Sequence, residues 1–126
     1  MKEGFSIEIR QHFETLMQDV EWRRRTFEQL SKDMRMAGLN LEEASIIKHQ
    51  DPIKFIASII REVKGNKPLW DNLNYRIDLP SALALDNMEV NELTHLYLLR
   101  SFQKVWLRKQ FGSLASKDDR DSTQNT

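Results

Sequence analysis

Glu92 and His95 stand three residues apart, and on a helix that spacing sends a carboxylate and an imidazole to the same side. Two copies of such a Glu-x-x-His pair, with two further carboxylates from other helices, hold the metals of di-iron bundles. No second copy occurs here. Glu8 and His12, four residues apart, could supply one more carboxylate and one more imidazole. Glu8, His12, Glu92 and His95 are therefore the metal candidates of the chain. Without the second motif they leave the ligand set incomplete, so neither metal nor cofactor is expected. His49, beside Gln50 and Asp51, falls at a predicted helix junction, where capping accounts for it.

Other reactive chemistry finds less support. The serines lie outside any Gly-x-Ser-x-Gly elbow, and the 4 glycines are too scattered to form a loop that cradles phosphate. With 0 cysteines there are no thiolate ligands, thiol nucleophiles or disulfides, a composition that fits a reducing compartment. No catalytic residue can be named, and the chain reads as non-catalytic.

Two basic concentrations remain. Arg100, Lys104 and Arg108 recur at intervals of four and make one helical stripe, with Lys109 beside it. Residues 86–99 carry Asp86, Glu89 and Glu92 and no Lys or Arg, whereas residues 100–112 carry only the four bases. That polarity suits a helix dipole, and it also makes Arg100, Lys104, Arg108 and Lys109 candidates for an anion or a nucleic acid. Arg23, Arg24 and Arg25 are consecutive and fan out in three directions on a helix. Asp19, Glu21 and Glu28 lie within reach, so a solvated, ion-paired stretch is the expectation. Arg23 falls on the apolar stripe and is expected to pair with Asp19 or with a carboxylate on a neighbouring helix.

Trp22 supplies a different kind of candidate. Placed opposite Ile9, Val20 and Phe27, it falls among Gln18, Arg25, Gln29 and Met36, a neutral face in a chain that is 30% charged. Neutral polar residues around an aromatic desolvate easily, and Trp, Met and Arg are enriched where proteins meet. Trp22, Arg25, Gln18, Gln29 and Met36 are the protein-contact candidates, for another protein or for a second copy in a homodimer.

The elements that must position these residues are helical. Apolar residues at Ile9, Phe13, Leu16, Val20, Phe27, Leu30 and Met34 predict one helix over residues 6–36, about 45 Å long, stopped by Gly38. Asn40 and Glu43 predict a second helix over residues 41–49. Asp51 caps a third, with Pro52 in its first turn and Gly65-Asn66 at its end. Residues 67–85 read as an ordered connector, with a short helical turn at residues 68–73 and an extended stretch at residues 75–80. The last helix is predicted from near Asp86 to Phe111, before Gly112, and the polar residues 113–126 read as a loose tail.

The fold expected is thus all-α: a single domain over residues 1–112, built as a helical bundle of four main helices with long first and last helices. The length of 126 residues fits one domain. With 19 basic and 19 acidic residues the formal charge is zero, so electrostatic targeting has to be local. No stretch has the length of a signal peptide's apolar segment or of a membrane span, which points to the cytoplasm. The function expected is a protein-protein interaction module, such as an adaptor, regulator or assembly subunit. Nucleic-acid binding through the last helix and a metal-dependent enzyme are the alternatives.

Overall fold

The computed structural model describes residues 5–42, 45–79 and 85–118, the stretch 113–118 by its backbone alone. The chain is all-α. Helix α1 spans Ile7–Leu16, α2 Val20–Met36, α3 Ser45–Lys48, α4 Pro52–Val63, α5 Lys67–Ile77 and α6 Val90–Asp118, with a 3₁₀ turn at Leu85–Asn87 before the last.

The first predicted helix is two. Asp19 stops it: with φ −86° and ψ 134° this residue is extended, and its carboxylate accepts from the backbone N–H groups of Glu21 and Trp22. A new helix start leaves N–H groups without partners, and an Asp at that position satisfies them. The opposite face of the break is closed by Arg23, whose Nη1 donates to the carbonyls of Met17 and Gln18, each at 3.0 Å. Arg23 therefore satisfies the end of α1, and among the described residues it pairs with neither Asp19 nor another carboxylate. We expect Arg23→Ala to lower stability by about 1 kcal/mol more than Arg25→Ala, because it strands the part-buried carbonyl of Met17, while that of Gln18 is exposed to water. Equal melting temperatures for the two variants, measured by circular dichroism, would contradict this.

At its other end α2 stops at Gly38, as its sequence predicts. Gly38 takes φ 114°, its N–H donates to the carbonyl of Arg35, and the Leu39 N–H donates to that of Met34. This paired closure needs a left-handed residue just past the helix, where glycine avoids the strain of a Cβ. The second predicted helix is shorter than expected. Leu41 and Glu42 are not helical, and α3 comprises only Ser45–Lys48. The Leu41 N–H turns back to the carbonyl of Leu39, and Glu43, the predicted capping partner of Asn40, lies outside the described residues.

Helix α4 starts as predicted, with the Asp51 carboxylate accepting from the Lys54 N–H and Pro52 in the first turn. The connector departs most from expectation. Lys67–Ile77 is a regular helix, capped by the Asn66 side chain on the Leu69 N–H and strapped by an ion pair from Lys67 to Asp71 at 2.8 Å. Trp70, Leu73 and Ile77 recur at three and four residues and are all buried, whereas Tyr75, 83% exposed, faces solvent. The helix ends where Asp78 turns left-handed at φ 66°. Helix α6 begins at Val90 and passes through Gly112 to Asp118, beyond its predicted end. The expected loose tail lies, for residues 119–126, outside the described residues.

Helix α6 is the centre of the architecture. Leu93, Tyr97 and Leu98 belong to a large core with Phe27, Leu30 and Met34 of α2, Ile56, Ile59, Ile60 and Val63 of α4, and Trp70, Leu73 and Ile77 of α5. Leu96, Leu99 and Phe102 belong to a second, smaller core with Phe5 and Ile9 from the α1 side. A helix apolar on both sides has to be covered on both sides. The break at Asp19 makes that possible by freeing α1 to change direction. Polar bonds close the ends of the large core. The Trp70 indole donates to Asp86 at 2.6 Å, Lys64 donates to the carbonyl of Met88, and the Tyr97 hydroxyl donates to Asn74 at 2.6 Å.

Candidate functional site

The pairing of α2 with α6 is the most extensive in the molecule. Along α2, Arg25, Gln29 and Lys32 recur at four and three residues, and Arg24 and Glu28 flank them. Along α6, Arg108 and Lys109 follow Val105. These eight side chains line one open groove of about 710 Å³ between the two helices. Two basic clusters about eighty residues apart in the chain, which read separately in the sequence, thus share one surface.

The charges in the groove are unevenly compensated. Glu21, on the rim, accepts from Arg25 Nε at 2.9 Å and from Arg24, which also reaches Glu28 at 2.7 Å. The hydrogen bonds from Arg24 and Arg25 hold the Glu21 carboxyl down to about 2, and Glu21 in turn raises the Arg24 guanidinium. Five cations therefore face Glu21 and Glu28, which leaves three positive charges over. Among the described residues no carboxylate pairs with Lys32, Arg108 or Lys109, so the excess lies at their end of the groove.

The rest of the α6 stripe does not reach this surface. Arg100 is turned to the end of α5, donating to the Asp78 carbonyl at 2.9 Å and to its carboxylate at 3.0 Å. Lys104 is nearly enclosed, its side chain 19% exposed, with Nζ 2.8 Å from the buried Asp33 carboxylate and 3.0 Å from the Arg76 carbonyl. Both cations tie helices together. Of the four anion candidates only Arg108 and Lys109 remain open to a ligand.

The protein-contact candidates are dispersed. Trp22 is half-buried and leans on Phe102, ring centroids 5.4 Å apart, as part of the second core. Gln29 is buried beneath the groove, Arg25 stands on its wall, Gln18 lies in the turn after α1, and Met36 is exposed near the end of α2. The sidedness read for the first helix fails within α2 itself, where Phe27 and Gln29, placed on opposite faces, are both buried. Val20, placed on the apolar stripe, is 69% exposed. The lining residues not among the sequence candidates are Lys32, Arg24, Glu28 and Val105; the Arg25-Gln29-Lys32 spacing was the available signal for the first.

The metal candidates occupy different settings. His12 Nε2 lies 3.7 Å from Glu8, and its ring stacks on Trp106 at 5.1 Å. His95 meets the Phe13 ring edge-on at 5.6 Å, and burial, followed by the nearby Arg10 charge, lowers its pKa from the ordinary value. Among the described residues no three His, Asp or Glu side chains are placed to hold a metal ion, and no hydroxyl is hydrogen-bonded to a histidine. Nor is any described helix long and apolar enough to cross a membrane. The side chains that line the groove include no hydroxyl or imidazole.

Comparison with protein-family models, with curated proteins and with solved structures finds no match to this chain.

Proposed function

We propose that the chain is a non-catalytic interaction module, an adaptor or assembly subunit, which captures an acidic segment of another protein in the α2/α6 groove. The observation that supports this is the convergence of Arg24, Arg25, Lys32, Arg108 and Lys109 on one groove, with three of their charges uncompensated among the described residues. A different protein is favoured over a second copy, since a symmetric pair would set two such grooves against each other with like charges opposed. Discrete carboxylates are favoured over a phosphate backbone. Glu21 and Glu28 interrupt the basic surface, and a chain of zero net charge has no long-range field to draw in a polyanion. A cytoplasmic setting belongs to the same proposal, consistent with a chain free of cysteine.

Fluorescence anisotropy with labelled hexaglutamate tests this reading. Binding is expected at low ionic strength and should weaken toward about 0.15 M salt, where the Debye length falls to roughly 8 Å. Lys32→Glu with Lys109→Glu should reduce affinity at least about tenfold, a change of about 1.4 kcal/mol. An unchanged affinity for that double variant would exclude the groove as the site. Tighter binding of an oligonucleotide of equal charge would reverse the choice of partner.

A further inference from the structure

The floor of the groove is a buried polar chain that ends on Arg108. Arg108 Nη1 donates to Gln29 Oε1 at 2.8 Å, and Gln29 Nε2 donates to Asp33 Oδ2 at 3.2 Å. The same Asp33 oxygen accepts from Lys104 Nζ at 2.8 Å. Gln29 is 8% exposed and Asp33 5%. An ionised carboxylate only accepts hydrogen bonds, so Gln29 has to give Asp33 its amide nitrogen, which turns its oxygen toward Arg108. The amide orientation is thereby fixed from beneath by the Lys104–Asp33 pair. Arg108 is held by one of its five N–H groups, and among the described residues its Nε and Nη2 have no partner.

We infer that Arg108 is the carboxylate-recognising residue of the groove, taking one side-chain carboxylate of the acidic partner segment through its Nε–Nη2 edge, and that Gln29 is its positioning residue. This rests on the reading of the groove as a site for an acidic protein segment and names the contact that makes it selective. A planar fork matches the two oxygens of a carboxylate, and a lysine at the same place offers a point charge without that geometry. Fixing the guanidinium in advance removes part of the ordering cost that a free arginine bears on binding. Lys32 and Lys109 contribute charge and on-rate, and Arg108 contributes geometry.

The test uses hexaglutamate with the full chain and its variants Arg108→Lys, Arg108→Ala, Gln29→Leu and the double variant Arg108→Ala/Gln29→Leu. Arg108→Lys should lose nearly as much affinity as Arg108→Ala, at least about fivefold, since the fork and not the charge is recognised. Gln29→Leu should weaken binding about threefold in the parent chain and leave it unchanged in the Arg108→Ala background, the non-additivity of a residue that acts through another. Arg108→Lys within twofold of the parent, or an equal loss from Gln29→Leu in both backgrounds, overturns the inference and leaves the groove reading intact. If Gln29→Leu does not fold, the comparison of Arg108→Lys with Arg108→Ala decides. No binding of hexaglutamate to the parent chain overturns both.

Discussion

Phe102→Ala is expected to be the most damaging truncation in the chain, lowering the free energy of unfolding by about 4 kcal/mol. Phe102 is fully buried at the centre of the smaller core. Phe13 of α1 meets it edge-on at 5.5 Å and Trp22 of α2 tilts against it at 5.4 Å. The ring therefore joins three helices at one point. Removing it leaves a void that α6 cannot close, because its other side is fixed against the large core. Aromatic contact energy is lost in addition to buried area. For a chain of this size the melting temperature should fall by roughly 15 °C, and Trp22→Ala, at a half-buried site of the same cluster, by about half as much. A fall of less than about 3 °C for Phe102→Ala in thermal circular dichroism would show that the smaller core does not support α1.

The second large effect is expected at Asp33. Lys104 Nζ lies 2.8 Å from its carboxylate, with the Asp33 side chain 7% and the Lys104 side chain 19% exposed. Breaking one partner of a buried pair strands the other charge, at a cost of about 3–5 kcal/mol, and the residual exposure of Lys104 places Asp33→Ala at the lower end, about 3. The loss also orphans the Gln29 amide. Replacing both ions together, Asp33→Leu with Lys104→Met, removes the stranded charge and should recover most of the stability. Chemical denaturation of the three proteins checks this. A double variant as unstable as Asp33→Ala would mean that the pair holds α2 to α6 by more than charge.

Local signals in the sequence locate much of the fold. Asp51 with Pro52 marks the start of α4, and Gly38 marks the end of α2, because each solves a backbone problem that its residue type is suited to. The break at Asp19 was hidden by Leu16 and Val20, whose spacing of four continues the apolar pattern across it, although Val20 points to solvent. Helix α5 was obscured by Pro68 and by the exposed Tyr75, while its buried residues Trp70, Leu73 and Ile77 carry the helical period. The site was legible only in parts. Arg108 and Lys109 belong to a stripe visible in the sequence. Which members of the stripe turn inward depends on Asp33 and Asp78, 71 and 22 residues away along the chain from Lys104 and Arg100. Helical periodicity describes one helix at a time, and the groove exists only once α2 and α6 lie side by side.

The α2/α6 groove is expected to receive acidic protein segments. A titration of isotopically labelled protein with unlabelled hexaglutamate, followed by ¹H–¹⁵N correlation spectra, examines it most directly. Saturable shifts are expected for the backbone amides of Arg24, Arg25, Lys32, Arg108 and Lys109, and for the side-chain amide of Gln29. Amides around Tyr75 and Ile53, both exposed on other elements, should stay in place. Shifts that are absent, or that cluster away from the α2/α6 groove, would contradict it.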